Sequence, residues 1–147
     1  MLDKIIVRKA IPNDLRSILL IEKDVFQKEH WTFDMIADEL EDIPGKVTWV
    51  IEQSQNLLGY CMLRLVKNEI TIVNMAIRPA FQGKGHGRLL LGHILDQIPS
   101  KSSVFLEVKQ GNLSAINLYM SFGFVEIDVR NNYYKDGSDA IVMRLEH

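Results

Sequence analysis

Most of the chemistry visible in the sequence sits in one short stretch, Gln82-Gly83-Lys84-Gly85-His86-Gly87-Arg88. Alternating glycines let a backbone come close to a bulky anion. The stretch joins a β-rich run to a helical one, so the unpaired N–H groups of the helix's first turn point at that anion, aided by the helix dipole. Lys84 and Arg88 add positive charge beside it. A phosphate-bearing ligand is the natural reading, with a merely flexible strand-to-helix connection as the bland alternative. A Walker A loop needs Ser or Thr after Gly-Lys to reach Mg²⁺. Gly85 follows Lys84 here, which argues against an NTPase. A dinucleotide fingerprint needs glycines at its first, third and sixth positions. The sixth position is Arg88 when counted from Gly83 and Leu90 when counted from Gly85.

Hydrophobic periodicity supplies the elements that must hold this loop. Residues 4–9 read as a strand. Pro12, Asn13 and Asp14 open a helix, with Asn13 as N-cap. Thr32 and Asp34 start a second helix that runs to about Asp42 and is stopped by Pro44 and Gly45. Residues 47–53, 58–66 and 70–77 are three strands separated by tight turns, which implies an antiparallel meander. A helix over 85–97 follows, with Leu89, Leu90, Ile94 and Leu95 on its buried side. Residues 103–109 form a strand. Residues 112–122 form a helix capped by Asn112 and ended by Gly123, and residues 124–129 and 140–145 are the last strands. The order βαα-βββ-α-β-α-ββ predicts a mixed α/β fold in one domain over residues 1–147: a mostly antiparallel sheet of about seven strands with about four helices.

Composition fits that reading. The chain has 147 residues, 47% hydrophobic and 24% charged, which excludes disordered and fibrous classes. With 17 basic and 19 acidic side chains the net charge is -2, so direct nucleic-acid binding is not expected. No apolar run reaches the ~18 residues of a membrane span. Cys61 is the sole cysteine, which suits a reducing, cytoplasmic setting, and it reads as a buried strand residue. His30, His86 and His93 are too scattered for a metal site, and none is expected. Glu146 and His147 read like the start of a purification tag and carry no functional weight.

The pattern Gln82-x-x-Gly85-x-Gly87, opening a helix after a strand, resembles the acetyl-CoA motif of the GNAT N-acetyltransferases. Downstream, Leu106-Glu107-Val108, Asn112, Ala115, Leu118-Tyr119 and Gly123-Phe124 resemble the RimI-type branch. So do Arg130-Asn131-Asn132-Tyr133-Tyr134 and Asp139-Ala140-Ile141-Val142-Met143. The likeness is close from about Ile70 to Leu145 and is one of pattern only before that. RimI-type enzymes acetylate the N-terminal alanine of a small-subunit ribosomal protein. The resemblance implies acetyl-CoA as donor and no metal. It implies that backbone groups of Met75, Ala76 and Ile77 hold the acetyl–pantetheine arm, and that those of Gly83, Lys84, Gly85, His86, Gly87 and Arg88 hold the pyrophosphate. It also brings Asn112 to the cofactor's other side, although an N-cap role alone would explain that residue.

Acetyl transfer needs a neutral amine and a protonated leaving thiolate. An α-amine with pKa ~7.7–8.0 is roughly one-tenth neutral at pH 7, whereas a lysine at ~10.4 is neutral in about one molecule in 2,500. A carboxylate base therefore suits an N-terminal acceptor. The resemblance makes Glu107 that base, acting through water, its pKa raised by desolvation among Val104, Phe105, Leu106 and Val108. Strand alternation alone favours a solvent-facing glutamate. The resemblance makes Tyr119 the acid for the thiolate; helical pattern alone favours a core tyrosine.

Trp31 and Phe33 at the second helix, with Tyr133 and Tyr134 in the late loop, can wall a slot for a small N-terminal residue. Asp136, Asp139 and Glu29 can attract a basic tail. Gln27, Lys28, Glu29 and His30 stand where RimI-type chains carry a proline before Trp31. That departure bears on acceptor choice, not on donor chemistry. Acetylation of a lysine or a small amine, and a non-catalytic acyl-CoA-binding module, are the competing readings.

Overall fold

The computed structural model describes residues 4–147. Seven strands form one sheet: β1 (Ile5–Lys9), β2 (Lys46–Gln53), β3 (Asn56–Val66), β4 (Glu69–Ile77), β5 (Ser103–Lys109), β6 (Val125–Arg130) and β7 (Ala140–Glu146). Their spatial order is β1-β2-β3-β4-β5-β7-β6. Every neighbouring pair is antiparallel except β4 and β5. Four α-helices complete the fold: α1 (Leu15–Phe26), α2 (Phe33–Glu39), α3 (His86–Gln97) and α4 (Leu113–Ser121). The mixed α/β architecture and the β2–β3–β4 meander are those expected. Glu146 continues β7 opposite Ser103, and the His147 N–H donates to the Ser102 carbonyl.

The helices cover both faces of the sheet. On one face, Ile18 and Ile21 of α1 and Ile36 of α2 pack on Val50, Tyr60, Met62 and Ala76. On the other, Leu90, Leu91, Ile94 and Leu95 of α3 and Tyr119 of α4 pack on Cys61, Leu63, Val104 and Met143. Leu89, expected inside, is 52% exposed, and Leu91 takes its place in the core. Gly87 packs on Leu118, so the positions three, four, seven and eight residues onward (90, 91, 94, 95) face the core and position 89 does not.

Local capping follows the side-chain chemistry. Thr32 Oγ1 accepts from the Met35 N–H at 3.2 Å, and Asn112 Oδ1 accepts from the Ala115 N–H at 3.2 Å. Gly123 has φ +99°, the left-handed turn-off that glycine adopts without a Cβ penalty. Asn13 is not the cap expected of it: it lies inside a short 3₁₀ turn, Pro12–Asp14, without a capping side-chain bond. Asp14, at the N-terminus of α1, makes no capping bond to the helix either; its carboxylate reaches back to accept the Ile11 N–H at 2.8 Å and two bonds from Arg8 at 2.9 and 3.0 Å. Burial opposes the Asp14 charge, yet the Arg8 and Ile11 hydrogen bonds outweigh it and hold the carboxyl below its usual range.

One irregularity shapes the rest. Met62 pairs with Asn74 and Leu63 with Ile72, so Val73 is an extra residue, a bulge in β4. Parallel pairing of β4 with β5 covers only Glu69–Ile72 against Ser103–Leu106. Both strands continue beyond that point, β4 to Ile77 and β5 to Lys109, and they part. Alternate backbone groups of β4 past the bulge therefore face a gap instead of a partner strand.

On its other edge this segment of β4 lies tight on β3. A Cβ on Gly59 would sit 2.6 Å from the Ala76 carbonyl oxygen and 3.2 Å from the Ile77 Cα. Backbone cannot yield as a side-chain tip can. Gly59→Ala should lower stability by about 1–3 kcal/mol, the usual cost of overpacking. Urea unfolding reads this directly, and an unchanged midpoint would contradict the close approach.

Candidate active site

The gap between β4 and β5 is the floor of a cleft of about 1010 Å³. Trp31, Met75, Ala76, Ile77, Gly83, Gly85, His86, Gly87, Arg88, Glu107, Asn112, Tyr119, Tyr133 and Tyr134 all line it. Two expected residues stand apart. The Lys84 ammonium lies over the Phe81 ring, 5.7 Å from its centroid, and its side chain is not part of the wall. Phe33 is 52% exposed and borders a separate shallow depression beside Pro12 and Arg16, so it does not wall the slot.

The glycine loop forms one end of the cleft. Gly83 and Gly85 have φ of +74° and +88°, and a Cβ on either would meet nothing within 4 Å. Their requirement is conformational, and the space above them is open. Gly87 differs: its Cβ would come within 3.1 Å of Leu118 Cδ2, so it serves the close packing of α3 on α4. Gly85 is the N-cap of α3 and has no side chain to cap with. The first intrahelical bond is Leu89 N–H to the Gly85 carbonyl, at 3.0 Å. The N–H groups of His86, Gly87 and Arg88 thus have no carbonyl inside the helix. His86 braces the loop from below. A carbonyl can only accept, so its Nδ1 carries the proton it donates to the Phe81 oxygen at 3.0 Å. Gln82 Nε2 donates to the Ile77 carbonyl at 2.9 Å and ties the loop to the end of β4.

Glu107 and Tyr119 line the same cleft from β5 and α4. The Glu107 side chain is 31% exposed, turned away from buried Leu106 and Val108. The expected desolvation among Val104, Phe105, Leu106 and Val108 is therefore not what the fold provides. The carboxylate instead pairs with Arg130 Nε at 3.2 Å and accepts the Tyr133 hydroxyl, a bond that pushes the Tyr133 pKa up. Tyr119 is 7% exposed, edge-on to Phe124 at 5.6 Å, with its hydroxyl 3.9 Å from Met75 Sδ. It is a core tyrosine whose polar tip reaches the cleft. Burial pushes its pKa well up, with Cys61 and Tyr134 adding to the effect.

The opposite end of the cleft is polar and already paired. Lys109 Nζ lies 2.6 Å from Asp136 and 3.6 Å from Glu29, above the Tyr134 ring. Asp136 is held down to about 2, first by the Lys109 hydrogen bond and then by Ser138. Burial, then Glu107, Tyr133 and Glu29, push Tyr134 up to about 12. Asp139, expected to face a basic tail, instead accepts the Asn132 N–H at 2.9 Å and closes the β6–β7 loop. Sequence reasoning assigned no site role to Arg130, Lys109, Asn74 or Glu22. Glu22 alone carried a local signal, being an acid on the apolar stripe Ile18, Ile21, Val25.

An uncapped helix terminus behind a glycine turn, a split between parallel strands and a tyrosine tip at the gap meet in one cleft that can receive an anionic ligand. The acetyltransferase (GNAT) family model matches residues 13–124, so the chain belongs to that family of acetyltransferases. Within it the chain is 34% identical over 143 residues to the putative ribosomal protein bS18-alanine N-acetyltransferase of Bacillus subtilis, covering 95% of this chain and 94% of that protein. The crystal structure of the ribosomal-protein-S18-alanine N-acetyltransferase from Escherichia coli superposes with a TM-score of 0.89 at 30% identity, over 97% of this chain and 94% of that one. Arabidopsis thaliana NAA60, solved in complex with acetyl-CoA, shares the fold, with a TM-score of 0.85 at 17% identity over 97% and 98% of the two chains.

Proposed function

We propose that the chain moves the acetyl group of acetyl-CoA to the α-amine of a protein N-terminus, with the N-terminal alanine of a small-subunit ribosomal protein as acceptor. The observation that carries this is the cleft itself. One cavity joins three helix N–H groups without an intrahelical partner, a β4 edge beyond its pairing with β5, a carboxylate and a buried phenol. These features fit the donor. The open space over Gly83 and Gly85 admits a pyrophosphate against the α3 terminus. The β4 edge from Met75 to Ile77 offers backbone groups to the amide-bearing arm, and Asn112 flanks it. When bound, acetyl-CoA supplies the activated acyl group.

The side chains divide the proton traffic. Glu107, exposed enough to hold a water, takes the proton released as the amine nitrogen bonds to the acyl carbon. Tyr119 gives its proton to the sulfur as the carbon–sulfur bond breaks. Arg130 and Tyr133 hold the Glu107 carboxylate in place. Trp31 and Tyr134 wall the end where a small first residue sits.

Free-thiol release tests this with a peptide beginning Ala-Arg and a control whose α-amine is blocked and lysines are free. Turnover of the first alone is the expected result; turnover of the control, or of neither, would reject an N-terminal acceptor. The pH profile follows from the same groups. kcat/KM should rise about tenfold per unit below the amine pKa of ~7.7–8.0 and then level. A raised phenol pKa keeps Tyr119 protonated to higher pH, so no fall should appear up to about pH 10, where an ordinary tyrosine titrates. A descending limb between pH 9 and 10 would contradict the acid's burial.

A further inference from the structure

Glu22 is 0% exposed, the most secluded carboxylate in the described structure, and no part of the proton transfers above uses it. Among the described residues no lysine or arginine pairs with it. Three hydrogen-bond donors satisfy it instead, each from a different segment. Oε2 accepts the Trp31 backbone N–H at 2.8 Å. Oε1 accepts both the Tyr60 hydroxyl and the Asn74 side-chain amide. A buried carboxylate is costly, and apolar packing would serve stability as well or better. The placement of its partners explains the group.

Trp31 follows the α1–α2 turn and lines the acceptor end of the cleft. Asn74 also lines the cleft, between the Val73 bulge and Met75 on the strand edge that faces the gap. Tyr60, fully buried on β3, is the fixed post between them. One carboxylate therefore spans from the acceptor loop to the donor strand. We propose that Glu22 is a positioning residue that sets the register between the acceptor slot at Trp31 and the β4 edge at Asn74–Met75. This rests on the N-terminal acetyltransferase reading. A misplacement of about 1 Å between reacting groups can cost on the order of a hundredfold in rate.

The amide variant separates positioning from simple packing. Glu22→Gln keeps size and shape but has a single acceptor oxygen. If that oxygen stays on Tyr60 and Asn74, the new NH₂ faces the Trp31 N–H, donor to donor, and the loop is released. In a Trp49→Phe background Trp31 is the sole tryptophan and reports its own surroundings. Expected for Glu22→Gln are a red-shifted, more quenchable Trp31 emission, a peptide kcat/KM lower by roughly tenfold to a hundredfold with kcat falling as well as KM rising, and an acetyl-CoA Kd within about threefold. Should Glu22→Gln fail to fold, Asn74→Leu cuts the strand end of the tie and should lower peptide kcat/KM by roughly tenfold or more with the same acetyl-CoA Kd. Parental emission and parental kcat/KM in a folded Glu22→Gln protein, whatever its melting temperature, would overturn the proposal. Lack of peptide turnover by the parent would instead reject the acceptor assignment, and the Trp31 emission would still decide whether Glu22 holds the loop.

Discussion

Tyr119→Phe should lower turnover of an alanine-started peptide by roughly 10²–10⁴-fold, the range for a lost general acid. Acetyl-CoA affinity should stay within about threefold. The substitution removes one oxygen and leaves the ring packed against Phe124. The hydroxyl's neighbour is the Met75 sulfur at 3.9 Å, a weak acceptor, so its loss strands no strong buried partner and the fold should hold. The proton is what disappears. Burial keeps the phenol protonated at working pH, ready for a thiolate whose acid has a pKa near ~8.5. Thiol release under saturating acetyl-CoA, with binding measured by calorimetry, separates the two effects. Equal turnover would mean that water protonates the leaving sulfur and that Tyr119 is a packing residue.

Gly85→Asp should abolish most donor binding while sparing the protein. At φ +88° a side chain costs about 1–2 kcal/mol, with aspartate among the better tolerated, and there is open space around the new Cβ. An aspartate at an N-cap also gains hydrogen bonds to the N–H groups behind it. Those are the same N–H groups an anion needs, so the substituted carboxylate competes in place and repels by charge. Acetyl-CoA affinity should fall by about 100-fold, equivalent to ~2.7 kcal/mol. The ligand-free melting temperature should move by only a few degrees. Titration calorimetry and melting with and without acetyl-CoA test this, and an unchanged Kd would remove the loop from the donor site.

What sequence reasoning could see was local. The glycine turn, the caps at Thr32 and Asn112 and the strand runs all follow from propensities of adjacent residues. The spacing places Leu90, Ile94 and Leu95 correctly on the inner side of α3 but admits Leu89 as readily as Leu91, because the three leucines are consecutive; contact with Ile77 and Leu118 at Gly87 decides between them. Non-local facts were invisible. The insertion of β7 between β5 and β6 leaves no local trace. Alternation did place Glu107 opposite Leu106 and Val108, yet its partners Arg130 and Tyr133 come from a strand and a loop some twenty residues on. The Val73 bulge, which opens the cleft, is a matter of register between strands. Acid at Glu22 amid Ile18, Ile21 and Val25 was a legible anomaly, and only the fold shows that Trp31 and Asn74 converge on it.

The two layers of the core share strands β2 to β4 but take their helices from different parts of the chain. The layer beneath α1 and α2 is drawn from residues between Ala10 and Ala76, whereas the layer beneath α3 and α4 reaches from Val7 to Leu145. Trp31 packs on the first layer, whereas Tyr119 and the residues around Gly87 (Leu118, Ile77 and Met75) belong to the second. On the proposed reading, substitution on the α1–α2 side would change which acceptor is taken while the side that handles the acetyl group keeps its packing.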